Sequence, residues 1–154
     1  MKVILLTTLP NKVATTLKDL LGSGLCVVNI NNVNNLTDSV RKITHTHNPH
    51  ILISYRCPYI IPIDIISTIP LGAYNIHPSL LPKYRGLNPW EEIFAKHETE
   101  SGVTIHKITE VIDGGPIVSQ RKFNISSSDT ITSARDKADN VAAELVKDLI
   151  TSLM

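Results

Sequence analysis

Tyr74-Asn75-Ile76-His77-Pro78-Ser79-Leu80-Leu81-Pro82-Lys83-Tyr84-Arg85-Gly86 is the stretch whose reading decides the fold. It grows out of a short apolar strand signal, Ala73 to Ile76, and strand alternation puts Asn75 and His77 on one face. Pro78 and Pro82 follow at once. Each ring fixes φ and removes a backbone donor, so the chain after the strand is stiff. An amide and an imidazole are thereby held side by side at the carboxyl end of a strand, where open α/β sheets bind ligands. An asparagine can donate to a developing oxyanion, and a histidine can move a proton near neutral pH.

Upstream, Val3–Leu6, Leu25–Ile30 and Ile51–Ser54 are apolar runs that read as buried parallel strands. Between the first two, Pro10 suits a helix start, and Val13, Leu17, Leu20 and Leu21 recur at helical spacing until Gly22-Ser23-Gly24 stops the helix. Five asparagines between Asn29 and Asn35 signal a loop with left-handed residues. Thr37 or Asp38 then caps a helix carrying Val40 and Ile43, which ends before Pro49. Tyr55–Pro62 reads as irregular, and Ile63–Ile69, between prolines, as a short helix.

Downstream, Asn88 is placed to cap a helix over Pro89–Ala95, with the proline at its first position. Gly102–Ile108 is rich in β-formers, and Pro116–Gln120 reads as a short strand. Alternation in the former is weak. Val103 and Ile105 share a face with Lys107, while Thr104 and His106 share the other with Ile108, so where His106 points stays open. Ser126–Asp129 is a loop with a good cap. Ile131, Ala134, Ala138, Val141, Ala142, Leu145, Leu149 and Leu153 mark a long terminal amphipathic helix. This strand–helix alternation predicts an α/β fold: a mostly parallel sheet with helices on both faces.

The bulk numbers fit one domain spanning residues 1–154, since 17.0 kDa is enough chain for a real core. A net charge of +1 gives no basic excess that would argue for nucleic acid. The N-terminal apolar run is too short for a signal peptide, and no run approaches the ~20 residues of a membrane helix. Two cysteines, Cys26 and Cys57, make no disulfide framework. The expectation is a cytoplasmic, reduced protein with no membrane and no nucleic-acid partner.

Two further blocks follow the signature: Ser101-Gly102-Val103-Thr104-Ile105-His106, and Ile112-Asp113-Gly114-Gly115-Pro116-Ile117-Val118. With Asn75-x-His77 and Ser79-Leu80-Leu81-Pro82, they resemble the pattern of the folate-dependent formyltransferases, from about Ile51 to Thr130. That family includes glycinamide ribonucleotide, methionyl-tRNA and amino-sugar formyltransferases. The resemblance implies a Rossmann-like formyltransferase fold. It also implies transfer of a formyl group from 10-formyltetrahydrofolate to a primary amine, without a metal.

The resemblance further assigns Asn75 to polarising the formyl oxygen, His77 to the oxyanion or to proton transfer, and Asp113 to pairing with His77 and relaying a proton. An adjacent carboxylate would favour the imidazolium. In the family the Asp113 loop closes over the pterin ring, which makes Ile112, Gly114 and Gly115 folate-site candidates. The other wall is the loop after the third strand, with Tyr55, Arg56 and Cys57; its tyrosines read equally as packing residues. Ser79 and Arg85 are substrate-side candidates. Ser79 reads better as a tie within its loop, and Arg85 meets an anionic acceptor or is simply solvated. His106 reads as structural or substrate-flanking. His45, His47 and His50 have no companion cysteine or carboxylate set and read as histidines near a helix end.

Two features depart from the family. The N-terminal half is short, so Asn75 comes early. The turn Thr7–Lys12 also lacks the glycines of the ribonucleotide-using relatives, although helix N-terminal amides there could still bind phosphate. The expected acceptor is a small, phosphate-bearing amine, an amino-sugar nucleotide or glycinamide ribonucleotide. The alternative is a catalytically silent folate- or nucleotide-binding protein of the same fold. A plain dinucleotide-binding domain is weaker still, because no Gly-x-Gly-x-x-Gly is present.

Overall fold

A computed structural model describes residues 1–154. Its strands are β1 (Val3–Thr7), β2 (Leu25–Asn29), β3 (Ile51–Tyr55), β4 (Ala73–His77), β5 (Glu100–Lys107) and β6 (Ile117–Asn124). Its helices are α1 (Lys12–Leu21), α2 (Leu36–His47), α3 (Ile63–Ile66), α4 (Pro89–Ala95) and α5 (Ile131–Leu153). The strands form one six-stranded sheet in the order β2-β1-β3-β4-β5-β6. The first four run parallel, as their helical crossovers require. β5 and β6 turn back antiparallel.

The inner strands β1, β3, β4 and β5 are largely buried on both faces, and strand alternation divides the core. Val3 and Leu5, Ile51 and Ile53, Tyr74 and Ile76, and Val103 and Ile105 point one way, against α1, α4 and α5. Ile4, Leu6, Leu52 and Ala73 point the other way, against α2 and α3. The first cluster holds 21 buried residues and the second 9, so the α2–α3 layer covers only part of its face. It stops at Ala73. Beyond that point the same face carries Asn75, His77, Thr104 and His106.

Several local expectations are corrected. Asn35, not Thr37 or Asp38, caps α2, its side chain accepting from the Asp38 N–H at 3.0 Å. Asn88 makes no side-chain capping bond; α4 starts on Pro89 alone. The short helix ends at Ile66 rather than Ile69. β5 is buried from Ser101 to His106 on both faces, which is why its alternation is weak. β6 runs on to Asn124 as a largely exposed edge, whose polar residues gave no strand signal. Thr130 caps α5 in a reciprocal bond with Ser133.

One buried residue on α5 lies outside the predicted apolar stripe. Asp139 accepts from the Tyr55 hydroxyl at 2.8 Å and from the Lys12 N–H at 2.9 Å. A carboxylate at the N-terminus of α1 also meets the positive end of that helix dipole. The contact ties α5 to α1 and to the end of β3. It makes Tyr55 a packing residue that also faces the cleft described below.

Truncating Ile53, fully buried in the larger cluster, removes contacts that the rigid sheet cannot replace. Ile53→Ala should lose about 2–5 kcal/mol of stability. Urea unfolding followed by circular dichroism should show a lower midpoint at unchanged slope, and an unmoved midpoint would contradict this core.

Candidate active site

The site begins with a register. Antiparallel pairing sets Asn75 of β4 opposite His106 of β5, and His77 opposite Thr104. Parallel pairing sets Asn75 beside Ser54 of β3. The loop after β4 is then pinned from below. Thr104 Oγ1 donates to the Ser79 carbonyl at 2.7 Å and accepts from the Leu81 N–H at 3.1 Å. Ser79 Oγ donates to the Lys83 carbonyl at 2.7 Å.

The folded loop returns its Tyr84 carbonyl to His77 Nε2 at 2.8 Å. A carbonyl only accepts, so Nε2 carries the proton and Nδ1 keeps its lone pair. That Nδ1 lies 3.7 Å from Oδ1 of Asp113. Asp113 sits at φ 52°, a left-handed conformation that aspartate tolerates. Its other oxygen accepts the Gly86 N–H at 2.8 Å. Arg85 donates to the Ile112 carbonyl at 2.6 Å, a second tie between the two loops. Gly115 lets its loop lie against β5: a Cβ there would stand 1.8 Å from the Lys107 carbonyl oxygen.

His77 is 4% exposed, and this burial pushes its pKa below the ordinary imidazole range. The Tyr84 carbonyl and Asp113 act in the opposite sense and are outweighed. Asp113 thus favours the imidazolium as expected, but burial outweighs it and leaves the resting ring neutral. Burial also works against the Asp113 carboxylate. His106, the Gly86 N–H and His77 together outweigh it and hold the pKa below the usual range, so Asp113 is charged. A neutral imidazole with a free lone pair beside a carboxylate can accept a proton and be stabilised once it has done so.

Asn75, His77, His106 and Asp113 line one cleft of about 560 Å³ at the carboxyl ends of β3 and β4. Tyr55, Arg56, Cys57 and Ile112 line it as well. Exposed Ile60, Leu87 and Val111 add apolar surface to its wall. Burial raises the Cys57 thiol pKa, which makes it a poor nucleophile. Ser79, Arg85, Gly114 and Gly115 do not line the cleft. Ser79 is buried beneath the loop, Arg85 holds the Asp113 loop, and the glycines shape it.

Thr8, Arg135 and Ala138 line the cleft and were missed. Arg135 is exposed and makes no ion pair. Its sequence signal was a cation one residue past Ala134, on the border of the apolar stripe. Two of the other histidines are used locally: His47 Nε2 bonds the Gly24 carbonyl at 3.2 Å, and His50 Nδ1 accepts the Lys2 N–H at 2.9 Å. No helix is long and apolar enough to cross a membrane.

The formyl transferase family model matches residues 8–150. The chain belongs to this family. A methionyl-tRNA formyltransferase from Thermotoga neapolitana is 36% identical over 109 residues, which cover 71% of this chain and 35% of that protein. The chain thus spans about a third of the length of that curated relative. A glycinamide ribonucleotide transformylase from Symbiobacterium toebii superimposes with a TM-score of 0.80 at 14% identity, over 96% of this chain and 84% of that one. A phosphoribosylglycinamide formyltransferase from Streptococcus pneumoniae gives 0.78 at 16% identity, over 99% and 98%. At such identities these two superpositions establish the Rossmann-like formyltransferase fold.

A buried histidine with a depressed pKa binds protons more readily in the unfolded chain. Its contribution to stability is intact above the unfolded value, about pH 6.5, and is lost as pH falls through the native value. The Asp113 contribution is lost only at lower pH, below about 3.9. The urea midpoint should therefore fall between pH 7 and pH 5, and His77→Gln should flatten that fall. Equal slopes in both proteins would mean that His77 ionises freely in the fold.

Proposed function

We propose that residues 1–154 form a catalytic domain that transfers a formyl group from 10-formyltetrahydrofolate to a primary amine of a small anionic acceptor. The observation that carries this reading is the convergence of Asn75, His77 and Asp113 on one cleft at the strand ends. Asn75 donates an N–H to the formyl oxygen as negative charge develops there. His77 takes the proton of the attacking amine at Nδ1 and passes it to the departing folate nitrogen. Asp113 stabilises the imidazolium in between. One C–N bond forms, one breaks, and the proton count balances.

The cleft suits such a donor. Its volume lies within the usual range for small-ligand sites, about 300–1,000 Å³, and its apolar wall suits a flat ring. Arg56 and Arg135 in the lining favour an acceptor with a phosphate or carboxylate, among which amino-sugar nucleotides and glycinamide ribonucleotide both qualify. The paired triad and the open cleft speak against a silent binding protein.

Purified protein given 10-formyltetrahydrofolate and a panel of phosphate-bearing amines should release tetrahydrofolate and the N-formyl product. Asp113→Asn and His77→Ala should each slow turnover by about 10²–10⁴-fold, and the double variant little more, since the two act as a unit. Arg135→Ala should raise the KM of the charged acceptor about tenfold, the cost of one charge-assisted hydrogen bond, with kcat nearly unchanged. No transfer to any amine, or release of formate alone, would overturn this assignment.

A further inference from the structure

His106 is 3% exposed, and the roles given above assign it no part. Its two ring nitrogens nevertheless have defined neighbours. Nδ1 lies 2.9 Å from the Lys107 carbonyl oxygen. That oxygen can only accept, so Nδ1 carries the proton and Nε2 of the neutral ring is left as an acceptor. Nε2 lies 3.2 Å from Nδ2 of Asn75. It is also 3.5 Å from Oδ1 of Asp113, a contact that becomes a hydrogen bond only when the ring holds a second proton.

Asn75 has two possible amide orientations, differing by a half-turn. With the lone pair of Nε2 beside it, only the orientation with Nδ2 toward His106 makes a hydrogen bond. One amide hydrogen is then committed to His106, and the second is left for the cleft. In the flipped orientation the amide oxygen would face a lone pair, and the group beside the formyl oxygen would change.

We infer that His106 is a positioning residue: through its Nδ1–H tautomer, fixed by the Lys107 carbonyl, it holds the Asn75 amide with an N–H available to the formyl oxygen. The inference rests on the formyl-transfer reading above. It assigns to the β5 strand a task in the chemistry rather than in packing alone. A buried imidazole that merely fills space could be exchanged for leucine with little effect on rate.

Three variants separate these roles. Leucine at position 106 keeps the bulk and removes the acceptor. Glutamine can place its amide oxygen near the position of Nε2. His106→Leu should lower kcat by about 10²-fold, the loss typical of one oxyanion donor, with KM for formyl-folate within about twofold. His106→Gln should recover most of that loss, and His106→Leu added to Asn75→Ala should cost nothing further. A rate for His106→Leu equal to wild type, or equal losses in the leucine and glutamine variants, would overturn the inference while leaving formyl transfer intact.

Imidazole ¹⁵N spectra of the wild-type protein provide a readout that needs no turnover. They should show His106 protonated at Nδ1 only, with the Nε2 resonance shifting in Asn75→Ala. A proton on Nε2, or a resonance indifferent to Asn75, would overturn the inference even if no acceptor is found and even if the leucine variant fails to fold.

Discussion

The antiparallel pairing of β4 with β5 is the constraint on which the rest of the structure depends. A parallel sheet would have delivered another crossover and another covering helix at this position. Reversal instead lays β5 directly against the signature strand, with Thr104 under the loop and His106 beside Asn75. Thr104 then serves three partners, the Ser79 carbonyl, the Leu81 N–H and the Gln120 amide, and so holds the loop that returns a carbonyl to His77. A one-residue slip in this register would turn every one of these side chains to the opposite face. The geometry of the candidate site is thus set by a ladder of backbone bonds.

Asp113 and Asp139 show how the chain compensates for carboxylates withdrawn from water. Asp113 accepts a backbone N–H and has two imidazoles beside it. Asp139 is compensated by a phenol, a helix N-terminal N–H and the edge of a guanidinium 3.9 Å away. Neither has a close lysine or arginine partner in a fully buried pair, an arrangement whose desolvation cost often exceeds its attraction. Asp113 keeps the freedom to respond to a charge on His77, because its neighbours there are titratable. The Tyr55 phenol beside Asp139 stays protonated, because burial pushes its pKa far up, and Asp139 acts as a fixed tie.

Much of this was legible in the residues. Continuous apolar runs gave the parallel strands, and Asn75-x-His77 with its prolines gave the strand end that became the cleft. Three things were hidden, each for a physical reason. The α2 cap sits at Asn35, inside an asparagine-rich run where several side chains could have served. β6 extends through Arg121 and Lys122, because an edge strand largely exposed on both faces carries no apolar alternation. The resting charge of His77 was hidden, because its acidic neighbour is visible in sequence while the burial that outweighs it belongs to the folded loop. Asp139 and Arg135 share that last cause: helical spacing marks a stripe, and the residues that matter lie on its border.

The Asp139 cap on α1 also bears on how readily this scaffold could change its preferences. A helix N-terminus is a natural anion receptor built from main-chain amides, and here the first of those amides already faces the protein's own carboxylate. Positive charge toward the cleft is left to the side chains of Arg56 and Arg135. Main-chain receptors can be altered only by moving the backbone, whereas a side chain can be replaced by a single codon change. Asn75 and His77 are anchored in a strand, whereas Arg135 sits on a helix face and Arg56 just past a strand end, so drift can retune the second pair without disturbing the first.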